Sequence, residues 1–404
     1  MAMIGVWMWP ESVRIEGAQG VVSRCLRIGV TDIFFLSKGL AGTVSFRSRF
    51  APSCCGRDLL AELLDTAHAA GIRVHAWLTS ASDEHYKTLH PESGRFHLIR
   101  GRDKALISLT DKGYVDCMQH IIAELCRSYP IDGLHLDYIR YNHLLYGWSA
   151  EDCMRYAAEG ADLSHLHALM KKTFLLKKGK DPDCIFDAFR AGDESILALA
   201  HTRRKDVVLF AKAMIAAAKN ENPSLILSAA LMPEGAYEDT AFADLHYGQN
   251  YEDAAALYDL ALPMAYSKAY GKDAAWVQDV ALGTMRRKIK TLAGLHAYDG
   301  GTARSLKADI TSLKGIGLEG ICLFRYGAFI LAIAENNGLH LINPTNTSVT
   351  QIRCTCKDSS QVIALSLLPG KEISLSLPFM PDDIDVFSGD TPVCAYLSNK
   401  HSAD

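Results

Sequence analysis

The chain has 404 residues, 49% apolar and 22% charged, with a formal net charge of -4. This is the composition of an ordinary globular protein, long enough for one large domain and a small one. It excludes two partners: no basic block is offered to nucleic acid, and no apolar run reaches the roughly 18–20 residues that cross a bilayer.

In chain order, strand candidates fall at 4–9, 32–36 and 72–78. Before the third, an amphipathic helix starts at Asp58, runs to Ala70 and stops at Gly71, a C-terminal cap signal. A polar stretch over about 79–110 carries His85, Tyr86, His90, Arg95, His97, Arg100 and Arg102, and Thr110-Asp111 then caps a helix reaching about Arg127. Asp132-Gly133 turns the chain into a fourth strand, 133–140, with polar residues at every second place. Period two puts His135 and Asp137 on one side and Leu134, Leu136 and Tyr138 on the other. A second insert, about 142–202, precedes a helix at 203–219. Strands at 225–232, 258–266, 291–298 and 320–326 follow, with helices at 274–290 and 303–314 between the last three.

Eight alternating units predict a closed (β/α)8 TIM barrel rather than an open doubly wound sheet. The glycine-rich turn of a dinucleotide fold is missing after the first strand, where Trp7-Met8-Trp9-Pro10-Glu11 stands. The two inserts leave the same end of neighbouring strands and are expected to shape a cleft or lid. Asn343-Pro344-Thr345-Asn346-Thr347-Ser348 reads as a linker, and beyond it alternating segments at 362–368 and 373–377 predict a small β-sandwich-like domain. The expected division is a barrel over 1–342 and the linker with its β domain over 343–404.

The 11 cysteines are scattered through apolar segments and read as free thiols of a reducing compartment. With no basic leader before residue 4, the expected location is the cytoplasm, or outside the cell if a signal peptide has been removed. Cys54-Cys55 and Cys354-Thr355-Cys356 have no second ligand pair at zinc spacing, and no metal or other cofactor is expected.

Barrels of this kind hold their chemistry at the C-terminal ends of the strands. Those ends carry Trp7, Trp9 and Glu11; His75 and Trp77; His135, Asp137, Tyr138 and Arg140; Glu234; Tyr266; His296, Tyr298 and Asp299; and Arg325. Aromatic faces stack on sugar rings, and two carboxylates across a glycosidic bond are the minimum set for its hydrolysis. Asp137 and Glu234 lie on adjacent strands. One would attack the anomeric carbon or activate water, and the other would protonate the leaving oxygen, which requires a raised pKa. Each also has a plain reading. Asp137 can be a structural ion pair with Arg140, Pro233-Glu234-Gly235 is also a turn with a solvated glutamate, and His135 fits a core or supporting position better than a ligand.

Asp132-Gly133-Leu134-His135-Leu136-Asp137-Tyr138-Ile139-Arg140-Tyr141 resembles the fourth-strand motif of a glycoside-hydrolase-like TIM-barrel family, the GHL10 or DUF187 group and its neighbours. Gly248-Gln249-Asn250-Tyr251 is similar to that group's "GQDY" helix start. Leu262-Pro263-Met264-Ala265-Tyr266 is similar to its sixth strand, and Gly320-Ile321-Cys322-Leu323-Phe324-Arg325-Tyr326-Gly327 to its eighth. The motifs occur in the right order over roughly 4–330. The resemblance implies a carbohydrate-active barrel with Asp137 as the principal catalytic carboxylate, commonly the nucleophile, and carries Glu234 over as acid/base.

Together these point to a glycosidase acting on an oligo- or polysaccharide, retaining in mechanism. Trp7, His75, Trp77, His135, Tyr138, Arg140, Tyr266, Tyr298, Asp299 and Arg325 are expected around the sugar. The competing expectation is a non-catalytic carbohydrate-binding barrel. Partners other than carbohydrate are not expected, and the oligomeric state stays open.

Overall fold

The computed structural model describes residues 3–176, 183–298, 300–335, 338–357 and 359–399. In chain order the elements begin β1 (Met3–Met8), α1 (Pro10–Arg27), β2 (Asp32–Lys38), α2 (Leu59–Ala69) and β3 (Arg73–Thr79). An insert follows with α3 (Glu84–Leu89) and the hairpin β4 (Gly94–His97) and β5 (Gly101–Ile107). Next come α4 (Lys112–Ser128) and β6 (Gly133–Asp137), then α5 (Ala150–Ala158), α6 (Leu163–Lys171), α7 (Asp183–Arg190) and the long α8 (Glu194–Glu221). The barrel is completed by β7 (Ile226–Leu231), α9 (Tyr251–Leu257), β8 (Leu260–Ala265), α10 (Ala274–Arg286), β9 (Lys290–His296), α11 (Ala303–Ser312) and β10 (Gly320–Phe324).

Eight strands close in the order β1-β10-β9-β8-β7-β6-β3-β2, all pairs parallel. All eight expected strands are present. The helices start where short polar side chains satisfy free N–H groups. Asp58 accepts from the Ala61 N–H, Asp111 from Tyr114 and Asp273 from Trp276, and Thr302 forms a capping box with Ser305.

The period-two pattern of β6 divides its side chains as expected. Leu134 and Leu136 join the shell packed between strands and helices, whereas His135 and Asp137 face inward, hydrogen-bonded to Trp7 and Trp77 respectively. Trp7, Phe34, Trp77, Leu262, Leu292 and Cys322 fill the interior. Gly294 makes room for them, since a Cβ there would press on the Trp7 ring.

Two expectations are corrected. The fourth strand ends at Asp137 rather than 140, because Tyr138 turns into the left-handed region at φ 55°. The all-β part also begins well before residue 343. Instead of a helix after β10, the chain enters β11 (Ile330–Glu335) and β12 (Gly338–Ile342), then β13 (Val349–Cys356), β14 (Ser359–Leu367), β15 (Glu372–Ser376), β16 (Asp383–Ser388), β17 (Thr391–Val393) and β18 (Ala395–Asn399). These form two four-stranded sheets, β15-β12-β11-β18 and β14-β13-β16-β17, which share a core containing Ile330, Leu339, Ile352, Cys354 and Val386. The stretch read as a linker therefore joins the two sheets inside this unit. It is held by Asn343, whose Nδ2 donates to the Thr347 and Leu367 carbonyls at 2.9 and 3.0 Å.

No helix among the described residues is long and apolar enough to cross a membrane.

Candidate active site

A cleft of about 600 Å³ opens at the C-terminal end of the barrel strands. Trp7, Trp77, Asp137, Ala230, Met264, Tyr266 and Phe324 come from the strand ends, with Tyr138 and Arg140 just after β6. One wall is Leu36 at the end of β2 and the loop behind it, Gly39, Leu40, Ala41, Thr43, Ser45 and Cys54; Trp9, Pro10 and Glu11 after β1 complete it.

Asp137 sits in this cleft with its side chain almost fully enclosed, at 6% exposure. The Trp77 indole N–H donates to its Oδ2 at 3.1 Å, and the Tyr138 backbone N–H to its Oδ1 at 2.7 Å. A tyrosine at positive φ is unusual, and here the turn lays its own N–H against the preceding carboxylate. Burial raises the Asp137 pKa above the ordinary carboxylate value, opposed by the Arg140 charge and the two N–H donors.

Arg140 is the hinge of the site's electrostatics. Its guanidinium lies 4.8 Å from the Tyr138 ring centroid and 6.0 Å from that of Tyr247. Its charge lowers the pKa of both Asp137 and Glu234. Glu234 does not line the cleft. It occupies a short 3-10 turn, Pro233–Ala236, and is half-buried. Burial raises its pKa, and the hydroxyls of Tyr270 and Tyr247 reach its carboxylate and oppose that rise. Its Oε2 is buried with no hydrogen-bond partner among the described residues.

The other expected residues separate into three groups. Trp7, Trp77, Tyr138, Arg140 and Tyr266 line the cleft with Asp137. Tyr298 and Arg325 stand beside it. The Tyr298 ring centroid is 6.0 Å from Tyr266 and 5.5 Å from Phe324, and the Arg325 guanidinium lies 3.5 Å from the centroid of Trp9. His75 and His135 are corrected to the barrel interior: both are wholly buried and neither lines the cleft. His75 Nε2 pairs with Asp32 Oδ1 at 2.9 Å, low in the barrel. His135 Nε2 accepts the Trp7 indole N–H at 3.1 Å, its Nδ1 meets Ser228 Oγ at 2.9 Å, and burial holds its pKa well below the usual imidazole value. It is thus a neutral support for the Trp7 ring. Asp299 lies outside the described residues.

The inserts hold the site from behind. Beyond Thr79 at the end of β3, neither insert lines the cleft. They pack together instead, Phe96 and Leu98 of the first against a core of Leu144, Trp148, Tyr156, Leu166 and Phe186. Wholly buried Arg95 donates to the Arg140 carbonyl at 3.0 Å and to Asn142 Oδ1 at 2.8 Å. Arg203 donates to the carbonyls of Tyr146 and His143, and both guanidinium groups lie against the Tyr141 ring, at 5.0 and 4.0 Å from its centroid. The segment that presents Arg140 is therefore gripped on both sides.

The loop after β2 was missed. Gly39-Leu40-Ala41-Gly42-Thr43 carries no chemical motif, and only the position of its parent strand could have pointed to it. Tyr247 and Tyr270 were missed too, because they reach Glu234 from a turn and from the loop after β8. Among the described residues no group of three or more His, Cys, Asp or Glu side chains could hold a metal ion.

No protein-family model and no curated protein matches the chain. Among solved structures it is similar to the glycoside hydrolase domain of PgaB (BpsB) from Bordetella bronchiseptica, with a TM-score of 0.63 and 14% identity over 80% of this chain and 94% of that one. It is similar to the catalytic domain of β-amylase from Paenibacillus polymyxa, at TM-score 0.55 and 11% identity over 80% and 92% of the two chains. It is also similar to α-L-fucosidase isoenzyme 2 from Paenibacillus thiaminolyticus, at 0.55 and 13% over 80% of this chain and 46% of the other. What is shared at these identities is the fold, a (β/α)8 TIM barrel.

Proposed function

We propose that the protein is a glycoside hydrolase in which Asp137 is the nucleophile and Glu234 the acid/base of a retaining reaction on an oligo- or polysaccharide. The observation that carries the reading is the Asp137 carboxylate, enclosed in an aromatic-walled cleft and held by two N–H donors. Burying a carboxylate is unfavourable unless it is compensated, and strongly perturbed carboxyl groups in clefts mark functional sites.

In the first step an Asp137 oxygen attacks the anomeric carbon, the bond to the leaving oxygen breaks, and Glu234 gives that oxygen its proton. In the second, Glu234 takes a proton from water, whose oxygen attacks the same carbon and releases Asp137. Burial raises the Glu234 pKa, the direction a proton donor requires. Arg140, whose charge acts on both carboxylates, favours the charged form that Asp137 needs to attack. Trp7, Trp77, Tyr138 and Tyr266 would enclose the reacting sugar.

One observation favours the binding-only alternative: Glu234 stands beside Arg140 rather than in the cleft lining. A panel of 4-nitrophenyl glycosides and natural oligosaccharides, with product anomers followed by NMR, separates the two. Asp137→Asn is expected to lower kcat by about 10⁴-fold or more. Glu234→Gln should lower kcat/KM by about 10²–10⁴-fold on substrates with poor leaving groups, and far less on 4-nitrophenyl substrates, whose leaving oxygen needs no proton in the first step. An Asp137→Asn enzyme with undiminished turnover would sink the reading, as would binding without cleavage across the panel.

A further inference from the structure

The cleft is not uniform from floor to rim. Its floor holds the recognition chemistry, Asp137, Arg140, Tyr138 and Tyr266, beside Trp7 and Trp77 at 1% and 4% exposure. The rim is different. Trp9 and Leu40 are exposed large apolar residues, at 37% and 44%; exposed Ala41 follows Leu40 and buried Pro10 follows Trp9 in the same lining. Glu11, Thr43, Ser45 and Cys54 are the polar or weakly polar side chains that these segments add to the lining. The Arg325 guanidinium lies over the Trp9 ring, so one face of the indole is already taken.

A hydroxyl-rich sugar needs a hydrogen-bond partner for each hydroxyl that leaves water, and each one left unpaired is unfavourable. Sugar rings are also gripped by aromatic faces and not by leucine, alanine or proline side chains. An aliphatic rim with half a tryptophan serves hydroxyls poorly and apolar surface well, and contiguous exposed apolar groups beside a cleft mark a binding surface.

Resting on the hydrolase reading above, we infer that the outer part of the cleft is a leaving-group subsite for an apolar, uncharged aglycone, aryl or alkyl, so that the substrate class is glycosides of hydrophobic alcohols or phenols. The sugar sits on the floor over Asp137, and the aglycone lies between Trp9 and Leu40. Its burial supplies binding energy away from the reacting carbon, which can be used to orient that carbon for attack.

Two experiments on the full chain test this. In the first, free 4-methylumbelliferone is the probe, with binding followed by saturation-transfer NMR in the wild type and in Leu40→Asp and Trp9→Ala. Both positions are partly exposed, and unchanged circular-dichroism melts would confirm that the variants fold. Binding is expected in the wild type, weakened at least about tenfold in Leu40→Asp. Equal binding in the wild type and both variants, or no binding in the wild type, overturns the inference.

In the second, n-alkyl glycosides of whichever sugar is cleaved are compared from ethyl to octyl, alcohols of nearly equal acidity. Their kcat/KM should rise toward the roughly fourfold per fully buried methylene expected of apolar transfer. A flat series, or a disaccharide preferred to the octyl glycoside, overturns the inference while leaving the hydrolase reading intact. Probe binding lost in Leu40→Asp, with no glycoside cleaved by the wild type, would overturn the hydrolase reading and the leaving-group role with it, leaving an apolar binding site only.

Discussion

Asp137 illustrates how a single residue acquires its chemistry. The alternation of β6 points it inward, the end of the strand places it at the mouth, and the left-handed Tyr138 supplies the closest donor. Its pKa follows from opposing causes: burial raises it, while Arg140, the Tyr138 N–H and the Trp77 indole lower it. As the proposed nucleophile Asp137 must be ionised, so the acidic limb of the pH–rate profile is expected above the ordinary carboxylate range near about 3.9. Removing a donor that favours the charged form raises the pKa further. Trp77→Phe should therefore move the acidic limb of kcat/KM to still higher pH while keeping the ring's packing. A limb that stayed in place in the pH profile would show that the indole N–H has no part in Asp137 ionisation. Asp137 was legible in the sequence because a carboxylate in a period-two apolar strand is conspicuous. The central place of Arg140 was not, since its effect on Glu234 depends on how two turns meet in space. His75 misled for a related reason, and His135, read both as a sugar contact and as a core residue, took the second role: strand alternation gives the face of a residue, but not its height in the barrel.

At the scale of elements, the wall of the cleft is the loop after β2, and it is clamped. Lys38, wholly buried, pairs with Asp83 at 3.0 Å and also donates to the Ser82 carbonyl at 3.1 Å. Burial pushes its pKa down, and Asp83 opposes this. Gly42, at φ 80°, lies so close to Asp83 that a Cβ would overlap the carboxylate. The ion pair thus ties the cleft wall to the insert after β3. Breaking a buried pair by removing one partner leaves an uncompensated charge, at a cost of about 3–5 kcal/mol. Asp83→Asn is expected to destabilise the protein by that order in urea unfolding, and to raise KM more than it lowers kcat, because in the proposed reading the wall touches substrate but not the reacting atoms. An unchanged unfolding midpoint would refute the clamp. The inserts act in the same indirect way. Leaving the same end of the barrel, they read as cleft-builders, yet their apolar residues find each other first and leave Arg95 and Arg203 to hold the Arg140 segment. Hydrophobic burial between two inserts depends on contacts far apart in the chain, which local pattern does not reveal.

For the whole molecule, the barrel and the β unit share packing. Tyr326, Phe329, Leu331, Ile333, Ile342 and Cys394 belong to the same apolar cluster as the outer shell of the barrel. A chain cut at 342 would keep β11 and β12 but remove β15 and β18, their partners in the sheet. Such a truncation is expected to aggregate on expression, because an apolar strand pair with open edges invites pairing with other chains; a soluble fragment with the full chain's melting temperature would contradict it. The eight strands, their order and the inward face of Asp137 were determined by the sequence alone, because strand alternation, helix caps and glycine turns are local properties. Tertiary structure alone decided the rest: where the all-β unit begins, which loop walls the cleft, that two histidines lie below it, and that Arg140 stands close to two carboxylates. Each of these depends on burial and charge proximity between segments distant in the chain, and such contacts exist only once the barrel has closed.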